Sequence, residues 1–133
     1  MATTTASITI SSGDLTGDAL SLSSTATLTK ADSATGLDQT TGVARKFFAS
    51  TQANYNLIAA ADYTASKAHK IYIKNTSTSN SEYIKIEFGG SNTSIGRLYG
   101  GDWLFMPYDG ENDIDIDTSA VNMTVEYLVI YEA

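Results

Sequence analysis

A two-residue alternation of apolar and polar side chains recurs along most of this chain, and it constrains the fold more than any other feature. Lys70-Ile71-Tyr72-Ile73-Lys74 and Tyr83-Ile84-Lys85-Ile86-Glu87-Phe88 both carry it, as do Ser7-Ile8-Thr9-Ile10-Ser11 and the stretch 113–118. Period two places successive side chains on opposite faces of an extended backbone, whereas a helix needs spacings of three and four. Another segment sets Leu20, Leu22, Ala26 and Leu28 against Ser21, Ser23, Thr25, Thr27 and Thr29, with Ser24 the one polar residue on the apolar side. That is a half-buried strand with a hydroxyl face. In the last segment Val121, Met123, Val125, Tyr127, Val129 and Tyr131 share a face, and Leu128 and Ile130 make the other face apolar too. This predicts a central strand buried on both sides.

Turn residues punctuate these segments: 13–18 has Gly-Asp at both ends, and Gly89-Gly90 and Gly100-Gly101 follow later. Further strands are expected at 43–49, 54–60, 94–99 and 102–108, the last with Pro107 near its end, where a missing N–H does least harm. The polar stretch 75–82 reads as the tip of a hairpin joining the two clearest strands. Residues 30–42 form a long polar connection, and 61–68 is the one stretch suited to a helical turn. About eight to ten short strands at such spacing predict an all-β fold with almost no helix. The expectation is a single-domain antiparallel β-sandwich, jelly-roll-like, over residues 13–133, with 1–12 as an N-terminal arm or first strand. Residues 1–41 hold eighteen Ser or Thr, the composition of a disordered arm, but their alternation argues against disorder beyond residues 1–5.

The chain's 133 residues contain no cysteine and one histidine, which excludes disulfides, thiolate metal sites and cysteine nucleophiles. A net charge of -7 favours solubility and repels phosphate backbones. The basic residues are scattered, with Arg45-Lys46 the only adjacent pair, so no nucleic-acid partner is expected. Residues 1–5 place no Lys or Arg before an apolar run, and the apolar stretches are too short to span a bilayer. Neither a secretory signal nor a membrane partner is expected.

The acidic run Asp109, Glu111, Asp113, Asp115, Asp117 is the first candidate site. On a strand, Asp113, Asp115 and Asp117 share one face and offer oxygens to a hard cation such as Ca²⁺. Counted from Asp113, however, the EF-hand pattern fails: Thr118 stands where it needs Gly and Thr124 where it needs Glu. The alternative is a solvated edge strand whose charges oppose aggregation. His69 lies beside Lys67 and Lys70 with no nucleophile motif such as Gly-x-Ser-x-Gly in the chain, so no catalysis and no cofactor are expected. Tyr99, Trp103 and Tyr108 cluster around the second glycine pair and offer a stacking surface for sugars, or else core packing together with Phe105 and Tyr72. Ile8 and Ile10 offer a strand to a neighbouring sheet, or else the first strand of the chain's own sandwich. The Asn-x-Ser/Thr triplets at Asn75, Asn92 and Asn122 are expected by chance in so hydroxyl-rich a chain.

Several phrases carry a resemblance: 36–46 (Gly-Leu-Asp-Gln-Thr-Thr-Gly-Val-Ala-Arg-Lys), 68–75 (Ala-His-Lys-Ile-Tyr-Ile-Lys-Asn), 95–107 (from Ile-Gly-Arg-Leu-Tyr to Phe-Met-Pro) and 125–132. Together they resemble small β-rich structural proteins of tailed bacteriophages, particularly those of cyanobacterial and other marine hosts. The resemblance implies a virion component without an active site. A capsid decoration (cement) protein is the first expectation. It would be made in the host bacterial cytoplasm and would bind the major capsid protein or other virion proteins. A homo-oligomer, trimeric before other states, is also expected. The alternative is a tail, fibre or baseplate component with a receptor- or carbohydrate-binding surface; a stand-alone carbohydrate-binding sandwich is a third.

Overall fold

The structure is a computed structural model that describes residues 3–15, 17–33, 35–89 and 93–133. The chain forms two compact units, Met1–Asp38 and Gln39–Ala133.

In the first unit, β1 (Thr5–Ser12) and β2 (Leu20–Thr27) pair antiparallel along their whole length, from Thr5 opposite Thr27 to Ser12 opposite Leu20. Opposed residues of an antiparallel pair share a face. The register therefore sorts the ribbon completely. Thr5, Ser7, Thr9 and Ser11 meet Thr27, Thr25, Ser23 and Ser21 on a face made only of hydroxyl side chains. Ala6, Ile8 and Ile10 lie with Ala26, Leu22 and Leu20 on the other face, interrupted by Ser24 opposite Ile8 and Ser12 opposite Leu20. Beyond β2 the chain doubles back through a bridge between Thr29 and Gly36, and the Leu37 N–H donates to the Leu28 carbonyl at 2.6 Å. Leu28 and Leu37 are buried. Of residues 1–12, expected as an arm or as the first strand of the sandwich, Thr5–Ser12 form one strand of a ribbon whose partner strand follows in sequence, and Met1 and Ala2 lie outside the described residues.

The second unit contains β3 (Gln39–Thr40), β4 (Ala44–Phe48), β5 (Tyr55–Ile58), β6 (His69–Asn75), β7 (Tyr83–Phe88), β8 (Thr93–Tyr99), β9 (Trp103–Tyr108), β10 (Ile114–Thr118) and β11 (Met123–Tyr131). One sheet has the order β5-β10-β7-β8. The other runs β3-β11-β6-β9, with β4 following β3 along the same edge of β11. All pairings are antiparallel. From β4 onward, successive strands change sheet at every step except β7 to β8, giving β4-β11-β6-β9 packed on β5-β10-β7-β8. This is the winding of a jelly roll, two Greek keys wrapped into a sandwich. Among the described residues there is no α-helix, only a 3₁₀ turn at Ala60–Asp62.

The alternation explains the core. Ile71, Ile73, Val125 and Val129 face inward from one sheet, and Ile84, Ile86, Ile114 and Ile116 from the other, all essentially without exposure. Each such side chain contributes roughly 1.5–3 kcal/mol on leaving water. The predicted hairpin between β6 and β7 does not form: β6 pairs with β11 and β9, and β7 with β10 and β8. Residues 75–82 instead cross from one sheet to the other. Buried Asn75 holds the crossing, donating from Nδ2 to the carbonyls of Glu82 (3.1 Å) and Leu98 (3.0 Å) and accepting from Ser77 N–H (3.0 Å). At the next turn, Gly100 lies against the carbonyl of Ser79 where a Cβ would collide, and Gly101 has a φ of +87°. The central position expected for β11 is correct, but its outer face, with Leu128 and Ile130, is half-buried rather than buried.

Candidate functional site

The acidic run is spent on the fold. Asp113 accepts from the Ala60 N–H at 2.7 Å, and Asp117 accepts from the Asn54 N–H at 2.7 Å. Lys85 reaches Asp117 at 2.6 Å and Glu87 at 2.8 Å. Burial pushes the Asp117 carboxyl up, but the hydrogen bonds from Lys85 and the Asn54 N–H outweigh it and hold the carboxyl below the usual range. Asp115 is buried, opposite Glu87 in register. Among the described residues, no three His, Asp or Glu side chains gather to hold a metal. β10 is also an inner strand between β5 and β7, which corrects the edge-strand expectation.

His69 is fully buried beneath Tyr63, Tyr108 and Tyr131, with ring centroids 5.7, 6.1 and 6.3 Å away. Its Nδ1 accepts from the Glu132 N–H at 3.2 Å, and its Nε2 faces the Thr64 carbonyl at 2.9 Å. Both contacts are hydrogen bonds only when the proton sits on Nε2. The imidazole therefore ties the end of β11 to the loop before β6 and has no nitrogen left for proton transfer. Gly110, with a φ of +77°, lies over this pair, close to the Thr64 carbonyl and His69 Nε2. The Tyr108 hydroxyl is buried without a hydrogen-bond partner among the described residues, and burial, with Asp113 adding to it, pushes its phenol up to about 12.

The three aromatic residues singled out in the sequence do not converge. Tyr108 is 4% exposed and faces the core. Tyr99 is on the other sheet, packed on Tyr83 at 5.5 Å. Trp103 is 51% exposed on the outer face of the five-stranded sheet. Its neighbours there are Tyr72, at 6.5 Å between ring centroids, and Phe105, opposite Tyr72 in register and 38% exposed. The alternative reading, core packing of Trp103 with Phe105 and Tyr72, does not hold, because Leu104, Met106 and Tyr108 are the inward residues of β9. Lys74 stands opposite Trp103 and Lys70 opposite Pro107. Lys70 Nζ donates to the Ala68 carbonyl at 2.8 Å, and burial lowers its pKa while Glu132 partly offsets this. Arg45 Nε donates to Glu126 at 2.8 Å; that hydrogen bond holds the Glu126 carboxyl below its usual range. No phase is legible for this face, since Trp-Leu-Phe-Met-Pro-Tyr is apolar at nearly every position.

Ile8 and Ile10 are 39% and 45% exposed, beside Leu20 at 37% and Leu22 at 48%. Neither strand of the ribbon contains a charged residue. Because the sheet has two strands, each keeps one edge whose backbone groups have no strand partner. No protein-family model matches the chain, and no curated protein or solved structure matches it.

Proposed function

We propose that this chain is a structural, contact-making component of a tailed-phage particle, a capsid decoration protein whose ribbon docks on the major capsid protein or another virion protein. The observation that carries the reading is the ribbon: two strands without a charged residue, with Ile8, Ile10, Leu20 and Leu22 exposed on one face. A lone two-stranded hairpin is marginal in water. Covering its apolar face, or adding a strand to its edge, gains burial and backbone hydrogen bonds together. The jelly roll supports the reading by analogy alone, since viral capsid and lectin domains both use it. In this reading the sandwich is the rigid body and the ribbon the attachment, in a symmetric oligomer on a repeating lattice.

The experiment is reconstitution on source particles stripped of this chain. The wild type is expected to rebind at lattice-scale copy number. Ile10→Asp is expected to lose attachment while its sandwich melts at the unchanged temperature. Rebinding of only a few copies per particle, or undiminished attachment of Ile10→Asp, overturns the reading. A second reading, a tail or fibre component with a receptor-facing surface, draws on the exposed Trp103 face; labelling confined to the tail would favour it.

A further inference from the structure

We propose that the outer face of the five-stranded sheet binds acidic oligosaccharides, chains of sugars bearing carboxylate or sulfate groups. The proposal deepens the second reading of the preceding subsection by naming the ligand class of that face, and it stands or falls apart from the ribbon's role.

Two independent features point to this ligand. The first is a ring platform. Trp103 at 51% exposure and Phe105 at 38% flank Tyr72 on adjacent strands, with the Tyr72 and Trp103 rings tilted 38° to one another. Flat apolar rings with polar edges suit the C–H faces of sugar rings, and Tyr72 OH and Glu126, 3.4 Å apart, supply hydrogen-bonding groups at the rim. The second is charge. The chain carries fifteen acidic residues, yet among the strand residues of this sheet Glu126 is the sole carboxylate, and Arg45 is paired with it. Lys70 and Lys74 lie on the same face of β6 on either side of Tyr72. At the rise of an extended strand they are about 13 Å apart. That span takes an oligomer with acid groups on separate sugars rather than a monosaccharide.

The same features weigh against the other occupants. A second copy or another protein packed here would bury two ammonium groups along the central strand, which costs several kcal/mol per ion unless each is paired. A sugar chain leaves them hydrated.

The test is titration of the full chain with hexagalacturonate and with a sulfated heparin hexasaccharide. The readout is the fluorescence of Trp103, the chain's single tryptophan. A saturable change with at least one of the two is expected. It should weaken as salt rises and be about tenfold or more stronger than with neutral maltohexaose, a ratio worth about 1.4 kcal/mol. By calorimetry, Trp103→Ala should abolish binding and Lys74→Glu should reduce it at least about tenfold. Arg97→Ala, on the opposite sheet, should leave it unchanged, with all three variants melting as the wild type does. Four results overturn the proposal: no saturable change with either acidic hexasaccharide, equal binding of maltohexaose, equal binding of hexathymidylate, or a Trp103 already shielded from acrylamide in the free protein. Particle attachment is read separately, so its failure and the failure of sugar binding are distinguishable.

Discussion

The ribbon of the first unit and the sandwich of the second are written in the same alternating pattern, and they use it in opposite ways. In the sandwich, the two inward faces meet each other: Ile73 and Ile116 lose all contact with water. In the ribbon, Ile8, Ile10, Leu20 and Leu22 keep between 37% and 48% of their exposure. The polar faces differ as well. The ribbon's is a continuous hydroxyl surface with no charge, whereas the sandwich's outer faces carry Lys70, Lys74, Lys85 and Arg97. Alternation alone therefore specifies a strand with two unlike faces. Whether the apolar face is structural or available for contact depends on what is stacked above it.

The sharpest way to break this comparison is to truncate one isoleucine in each region. Ile73→Ala should cost about 2–5 kcal/mol in denaturant unfolding, since it opens a cavity between two close-packed sheets. Ile10→Ala should change stability by less than about 0.5 kcal/mol. Equal losses would mean that the ribbon's apolar face is already covered in solution. His69→Phe tests what holds the sandwich's end in place. It removes the hydrogen bonds that His69 makes with the Glu132 N–H and the Thr64 carbonyl, at a cost of about 2–4 kcal/mol. A loss below about 0.5 kcal/mol would show that these hydrogen bonds contribute little.

A further effect is expected in alkali and belongs to the sandwich alone, because the ribbon contains no tyrosine. Burial raises the Tyr108 phenol to about 12 in the folded protein. The unfolded chain releases that proton near pH 10. The contribution to stability is therefore complete below pH 10 and is lost as pH rises from 10 towards 12. Absorbance titration should show a late-ionising tyrosine that Tyr108→Phe removes. The same variant should flatten the alkaline fall in stability. A titration in which every tyrosine ionises near 10 would contradict the burial of that hydroxyl.

Particular residues show how much was legible beforehand. The strands at 70–74, 83–88 and 121–131 are plain from their alternation, because one buried face requires it; the last begins two residues later, at Met123, with Val121 exposed. The place of β11 inside its sheet was legible from Leu128 and Ile130, apolar on the second face. The hairpin expected across 75–82 was not there, because the polar tip looks the same whether a chain turns back beside itself or crosses to a facing sheet. The difference rests on Asn75, whose bonds to Glu82 and Leu98 close the crossing. At the candidate site, Trp103 is exposed as a stacking surface requires, but the residues expected beside it lie elsewhere. Tyr108, five residues on, has the opposite phase along an alternating strand and points into the core. The acidic run read as a possible cation site, while its oxygens are taken by Lys85 and by the N–H groups of Asn54 and Ala60.

By itself the sequence determined that the chain is all-β, cysteine-free and acidic, with strands of two unlike faces. Side-chain period and composition are local properties, and these conclusions need nothing else. Only the tertiary structure decided which strands pair, that the winding is a jelly roll, and that an aromatic face flanked by lysines lies outside the core. Those outcomes depend on contacts between residues distant in sequence. Many pairings of alternating strands bury similar apolar area, and the choice among them is made by register, crossings and the packing of one sheet on another.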